Sequence, residues 1–383
     1  MIQEELFRDI VNIGPADERA MELAKRRWNS VAKPIGSLGI LEEDIIKIAG
    51  ITGQDFPVHV EKSALVVMCA DHGVVEEGVT QTSRDVTRIV AENFTKNQTS
   101  VTIMCRASGT DVFPVDIGMA GETPKEESLK PFVLLNRKTA CGSRNLVREA
   151  AMERSDCEAA ILSGIRLTGE LKAMGYEIIA TGEMGIGNTT PSSALTAILT
   201  NSKAEAVTGR GAGLSDEGLL RKKRAVRLAV ERVLKAYPQW EFCRWGEEDL
   251  PEETIALLSE LGGFDIAGMA GLFLGAAVHR IPVVIDGYIS SVAALLAVCI
   301  CGRVRDFILA SHVSSEPAGR MLMDRLGLRG PLDCGMHLGE GSGAVAFLPI
   351  LKMGADVYEK MSTFEDIQVE SYVDYEAERG KGE

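Results

Sequence analysis

Short apolar runs without polar alternation recur along this chain and are separated by longer segments of helical period. The first, Ala64-Leu65-Val66-Val67-Met68-Cys69-Ala70, has the character of a strand covered on both faces. It ends at Asp71-His72-Gly73. Residues 112–115 predict a second strand, ending at Asp116-Ile117-Gly118, and residues 132–136 a short one. Further strands are predicted at 177–180, ending in Gly182-Glu183, at 281–285, ending at Asp286-Gly287, and at 307–310, ending at Ser311-His312. Helical spacing predicts helices at 15–30, 41–51, 85–107 and 148–174, then at 192–199, 215–237, 264–278, 290–298, 319–326 and 344–361.

Strands that alternate with helices imply an α/β fold, a parallel sheet with helices on both faces. The opening is different. Two helices flank Lys33-Pro34-Ile35-Gly36-Ser37-Leu38-Gly39, with no strand between them, so the N-terminus reads as a small helical unit. In an open parallel sheet the carboxyl ends of the strands lie along one edge, where ligands bind. The polar strand ends are therefore expected to converge on one crevice.

Composition narrows the function. The chain has 383 residues, 45% hydrophobic and only 5% aromatic, with 39 glycines, which suits close helix-on-sheet packing. A net charge of −14 without a long basic run argues against a nucleic-acid-binding face. Eight cysteines form no CxxC pair and five histidines show no ligand spacing, so neither a zinc site nor a disulfide frame is expected. The opening Met1-Ile2-Gln3-Glu4-Glu5 is acidic, and no apolar stretch reaches membrane-spanning length. A cytoplasmic protein with reduced thiols and no membrane contact is the expectation.

Four stretches carry candidate chemistry. Gly182-Glu183-Met184-Gly185-Ile186-Gly187-Asn188-Thr189-Thr190-Pro191 joins a strand to a helix. Its exposed N–H groups and hydroxyls at a helix start suit a phosphate or ribose, although it is neither a P-loop nor a dinucleotide fingerprint. Gly209-Arg210-Gly211-Ala212-Gly213 leads to a helix bearing Arg221-Lys222-Lys223-Arg224. One or two of these cations could reach a phosphate, and a solvated face fits most of them. Ser311-His312 lacks a nucleophile elbow, and neighbours in a strand point to opposite faces, so its serines are read as anion donors rather than nucleophiles. Leu338-Gly339-Glu340-Gly341-Ser342-Gly343 sets one carboxylate among glycines. Glu340 is either a solvated residue of a surface turn or a half-buried base.

Taken in order, these motifs resemble the nicotinate-nucleotide–dimethylbenzimidazole phosphoribosyltransferases. The set comprises Lys33 to Gly39, Ala70-Asp71-His72-Gly73-Val74, Gly182 to Pro191, Gly209 to Gly218, Gly262-Gly263-Phe264-Asp265-Ile266-Ala267, Asp286-Gly287, Ser311-His312 and Leu338 to Ala344. The resemblance runs from about Arg26 to Phe364. It implies a Rossmann-like parallel-sheet domain (residues 56–343), a small helical domain from both termini (1–55 with 344–370) and a homodimer. Residues 371–383 read as a disordered acidic tail.

The resemblance also implies a reaction. Nicotinate mononucleotide gives its phosphoribosyl group to 5,6-dimethylbenzimidazole, with inversion at the anomeric carbon and no cofactor or metal. Glu340 matches the general base and Glu183 a second active-site carboxylate. Gly185, Lys222 and Ser314 match the phosphate side, and Asp286 and Gly287 the strand end beside the substrate. Met184, Gly187, Asn188, Gly339 and Gly341 belong to the same substrate-binding loops. Arg84 stands where many relatives carry Gln near the base pocket, and Asp265 where Glu is common. A cation at Arg84 bears on the acceptor. The alternatives are a relative using a phenolic or purine acceptor, as one subunit of a heteromer or alone, and a non-catalytic partner subunit. A nicotinamide-dependent dehydrogenase is disfavoured by the missing glycine fingerprint.

Overall fold

Among the described residues the apolar runs become six strands: β1 (Ser63–Ala70), β2 (Asp111–Gly118), β3 (Leu135–Asn136), β4 (Ile178–Met184), β5 (Val283–Ile285) and β6 (Ile308–Ala310). They form one sheet in the order β3-β2-β1-β4-β5-β6, and every neighbouring pair is parallel. The computed structural model describes residues 2–123, 128–240 and 249–372. The helices before β3 are α1 (Ile2–Val11), α2 (Glu18–Ser30), α3 (Ile40–Thr52), α4 (Asp85–Thr95) and α5 (Ser100–Ser108). Those after it are α6 (Arg154–Ala173), α7 (Thr189–Leu199), α8 (Ala204–Val207), α9 (Asp216–Ala236), α10 (Pro251–Leu261), α11 (Phe264–His279), α12 (Tyr288–Ile300), α13 (Gly319–Leu326) and α14 (Ser342–Lys360).

Strand β1 shows why its sequence does not alternate. Ala64, Val66, Met68 and Ala70 enter a core shared with α6, α11 and α12, while Leu65, Val67 and Cys69 enter a second core under α4, α5 and α14. Both faces are covered, so both sets of side chains are apolar. The strand order reverses between β1 and β4, which are direct neighbours, and that makes the gap between their following loops the switch point of the sheet.

The structure differs from the sequence reading in three places. The helix expected over 85–107 is two helices. Asn97 takes a left-handed conformation (φ 60°), and Thr99 caps α5 in a reciprocal capping box with Thr102. Helices α1, α8 and α10 were not expected. The acidic start of the chain folds because Leu6 and Ile10 bury one face, and Glu5 pairs with Arg166 on α6. Strands β2 and β4 run further than their apolar stretches, so Asp116 and Glu183 lie inside strands rather than in loops.

The two termini meet. Ala32 donates to Ser362 O and Phe364 to Ser30 O, at 2.9 Å each, and the Trp28 and Tyr358 rings lie 5.0 Å apart. Lys33 and Glu42 form a buried ion pair at 2.5 Å, which fixes the Pro-Gly segment after α2. Most of the expected acidic tail (373–383) and Cys243 lie outside the described residues. Among the described residues no disulfide joins two cysteines, only Cys141 and Cys334 of them are exposed, and no helix is long and apolar enough to cross a membrane.

Candidate active site

The switch point opens into a cavity of about 340 Å³. Its wall comes from residues 79–82 after β1, 183–189 at the end of β4, 210–212 and 214 before α9, 286–290 after β5, 312, 314 and 316 after β6 and 337–340 before α14. Three of the five polar strand ends therefore converge as expected. The other two do not. The Asp71 carboxylate accepts from Ala120 N–H at 2.8 Å, and Asp116 accepts from Met119 N–H at 2.8 Å and lies 3.2 Å from Lys138 Nζ. These carboxylates accept from the loop that follows β2 and do not line the cavity.

The Glu340 turn has an unusual backbone. Gly339, Glu340 and Gly341 all have positive φ (87°, 61° and 92°). Glycine adopts this region freely, whereas glutamate is strained there and stays only when its surroundings hold it. Two contacts do so. Asp286, at the end of β5, accepts from the N–H groups of Gly341 (3.1 Å), Gly343 (2.7 Å) and Ala344 (3.1 Å). A carboxylate thus meets the positive end of α14. From below, Gly182 of β4 passes so close that a Cβ there would lie 2.5 Å from Glu340 O. The Glu340 side chain is not the solvated residue of the first alternative. Burial raises its pKa, a backbone N–H at Val101 pulls it partly back, and Oε2 is buried without a hydrogen-bond partner.

Glu183 abuts this turn, since a Cβ on Gly339 would overlap its Oε1. The Asn188 carboxamide nitrogen donates to Glu183 Oε2 and, at 3.1 Å, to Asp265 Oδ2. Burial first, and then the neighbouring Asp265 carboxylate, push the Glu183 pKa up to about 8. Asp286 is likewise pushed up to about 7 by burial, against the three N–H groups that pull it down.

The opposite wall is a helix start and a cation. Gly187, with φ 96°, turns the chain into α7. Lys222 is buried beneath this end, its Nζ donating to Thr189 Oγ1 at 2.8 Å and Gly209 O at 3.0 Å. Burial lowers its pKa to about 8. The basic helix face is otherwise turned outward, as Arg221 shows by donating to Gly78 O.

Most of the residues expected in the site do line the cavity: Glu183, Met184, Gly185, Gly187, Asn188, Asp286, Gly287, Ser314, Gly339 and Glu340. Lys222 and Gly341 stand behind the wall. Arg84 precedes α4 with its guanidinium 4.0 Å from Glu76, and it does not line the cavity. Ser311 is structural, donating to Ile285 O at 2.7 Å and Asp286 O at 3.1 Å. His312 lines the wall, and burial keeps its pKa low. The sequence reading did not assign Gln81, Thr189, Arg210 or Tyr288 to the site. Gln81 donates to Gly213 O and so ties two loops of the wall together. Thr189 and Arg210 lay within motifs already singled out, whereas nothing local marks Gln81 or Tyr288. Among the described residues no group of His, Cys, Asp and Glu is arranged to hold a metal ion.

Residues 13–369 match a family model described as phosphoribosyltransferase. Nicotinate-nucleotide–dimethylbenzimidazole phosphoribosyltransferase of Acetivibrio thermocellus is 43% identical over 367 residues, covering 96% of this chain and 99% of the relative. The protein of the same name from Ruminiclostridium cellulolyticum is 39% identical over 367 residues, with 96% and 98% covered. A crystal structure of CobT from Thermus thermophilus superposes with a TM-score of 0.82 at 35% identity, covering 92% of this chain and 100% of that one. Sequence and fold agree, and the chain belongs to the nicotinate-nucleotide–dimethylbenzimidazole phosphoribosyltransferase family.

Proposed function

We propose that this chain transfers the 5-phosphoribosyl group of nicotinate mononucleotide to 5,6-dimethylbenzimidazole, releasing nicotinate and α-ribazole 5′-phosphate, with Glu340 as the general base. The transfer serves assembly of the nucleotide loop of cobamides. The observation that carries the role of Glu340 is its geometry: a strained, half-buried carboxylate in the cavity wall, with one oxygen lacking a partner. The chemistry asks for little more. The bond from the anomeric carbon to the pyridinium nitrogen breaks, and its electron pair neutralises that nitrogen, so the leaving group needs no acid. The acceptor nitrogen forms the new bond from the opposite face. Its second ring nitrogen carries the N–H proton, and the Glu340 carboxylate takes it.

Asp286 holds the base in place, and the start of α7 with Lys222 beneath it suits the 5′-phosphate. Glu183 is placed to face the ribose. The homodimer and a cytoplasmic location belong to the same proposal, and light scattering on the purified protein tests the first.

The decisive experiment compares wild type with Glu340→Gln on nicotinate mononucleotide and a panel of benzimidazoles, adenine and phenols, products being identified by mass. Transfer should be nearly abolished in the variant while nucleotide binding persists. Near-normal turnover would remove Glu340 from the role of base, and failure of wild type to ribosylate any acceptor would overturn the function itself.

A further inference from the structure

Behind Glu183 lies a buried pair that the transfer reaction does not itself require. His72, just after β1, and Asp265, in the first turn of α11, are 1% and 0% exposed. His72 Nε2 lies 3.1 Å from Asp265 Oδ1 without the alignment of a hydrogen bond, and neither ring nitrogen has a hydrogen-bond partner among the described residues. The other oxygen of Asp265 receives the Asn188 carboxamide, whose second N–H goes to Glu183. The packing leaves no slack. A Cβ on Gly185 would lie 2.9 Å from Asp265 Oδ2 and 3.0 Å from His72 Nε2, and a Cβ on Gly263 would overlap the imidazole ring. Gly185 is itself part of the cavity wall.

We infer that His72 and Asp265 are positioning residues for Glu183, acting through Asn188: the imidazole packs against the Asp265 carboxylate, and that carboxylate holds the Asn188 carboxamide against Glu183. The inference rests on the function proposed above. Its physical basis is geometric: the buried imidazole fills the space beside Asp265 and leaves that carboxylate no other place to go. Asn188 has two N–H donors, and this arrangement uses both on carboxylates, so neither Glu183 nor the 185–188 loop is free to rotate. The groups facing Glu183 are Asp265, Asp286, Glu340 and Asn188, with His72 behind Asp265. Asp265 repels a charge on Glu183, so losing its charge makes Glu183 easier to ionise.

The test uses the full chain with Asp265→Asn, His72→Gln, Asn188→Ala and the double variant Asp265→Asn with Asn188→Ala. Steady-state kinetics are measured alongside an infrared titration of the protonated carboxyl band that disappears in Glu183→Gln. Each single variant should lower kcat on the order of tenfold to a hundredfold with little change in KM for the nucleotide. The double variant should lose no more than the worse single one, because both act on one chain of contacts. The titration midpoint of the Glu183 band should fall in Asp265→Asn. Multiplicative losses in the double variant, or an unmoved midpoint with unchanged kcat, would overturn the inference. A wild type that transfers to no acceptor would count against the proposed function alone, since the infrared midpoint still reports on this network.

Discussion

Asp286→Asn tests how the strained base is held. In the wild type Oδ1 accepts from Gly343 (2.7 Å) and Ala344 (3.1 Å), and Oδ2 from Gly341 (3.1 Å). Each hydrogen bond to a charged group is worth roughly 1.5–3 kcal/mol, and the left-handed Glu340 costs about 1–3 kcal/mol. Three bonds outweigh the strain. The amide keeps one acceptor oxygen, and its NH₂ group then faces a backbone N–H, donor against donor. One bond is lost outright and the other two lose their charge, leaving about 1–3 kcal/mol of hydrogen bonding against a strain of the same size, so the margin falls to about zero. The expected loss of stability is about 3–6 kcal/mol in urea unfolding. The expected loss of kcat is on the order of a hundredfold, since a misplacement of about 1 Å costs that much. KM for the nucleotide should hardly move, because the phosphate side is built from other loops. The kinetics belong above pH 7, where Asp286, pushed up to about 7 by burial, is ionised in the wild type. A stability change within about 0.5 kcal/mol, together with an unchanged kcat, would show that the turn holds itself.

Lys222→Ala should weaken nucleotide binding by roughly 1–3 kcal/mol with a smaller effect on acceptor binding; unchanged affinity by calorimetry would remove Lys222 from the phosphate site. Gly182→Ala places a Cβ 2.5 Å from Glu340 O, so it should cost about 1–3 kcal/mol and lower kcat with it, and an unaltered Tm would contradict the close approach. Stability should also depend on pH with an unusual sign. Glu183, Asp286 and Asp44 are raised to about 8, 7 and 7, mainly by burial, so between about pH 4 and 8 the folded chain binds more protons than the unfolded one. Stability therefore falls as pH rises through that window, and Glu183→Gln should flatten the fall. Above it, Lys47 and Lys222, both lowered to about 8, reverse the slope. A Tm that climbs from about pH 5 to 8 would contradict this reading.

Local patterns carried much of the fold. An unalternating run such as residues 64–70 must be covered on both faces, and helices between such runs leave a parallel sheet as the arrangement that covers them. The same patterns marked the glycine-rich ends of β4 and α14. Where they failed, the competing signal was also local but weaker. Asn97 and Thr99 end one helix and cap the next within a continuous helical period. Helix α1 is recognisable only once Leu6 and Ile10 find a partner in α6.

The site itself divides along the same line. Sequence alone placed Glu340 among glycines, Glu183 after a strand and Lys222 on a basic helix. It left Glu340 between a surface turn and a buried base. Only the packing of β4 and β5 beneath the turn decided that, because burial, backbone strain and the three N–H groups on Asp286 arise from segments far apart in the chain. The same holds for the strand ends. All of them are polar, but only those of β4, β5 and β6 reach the cavity, since the Asp71 and Asp116 carboxylates turn instead to backbone N–H groups of the loop after β2, which no local pattern could place.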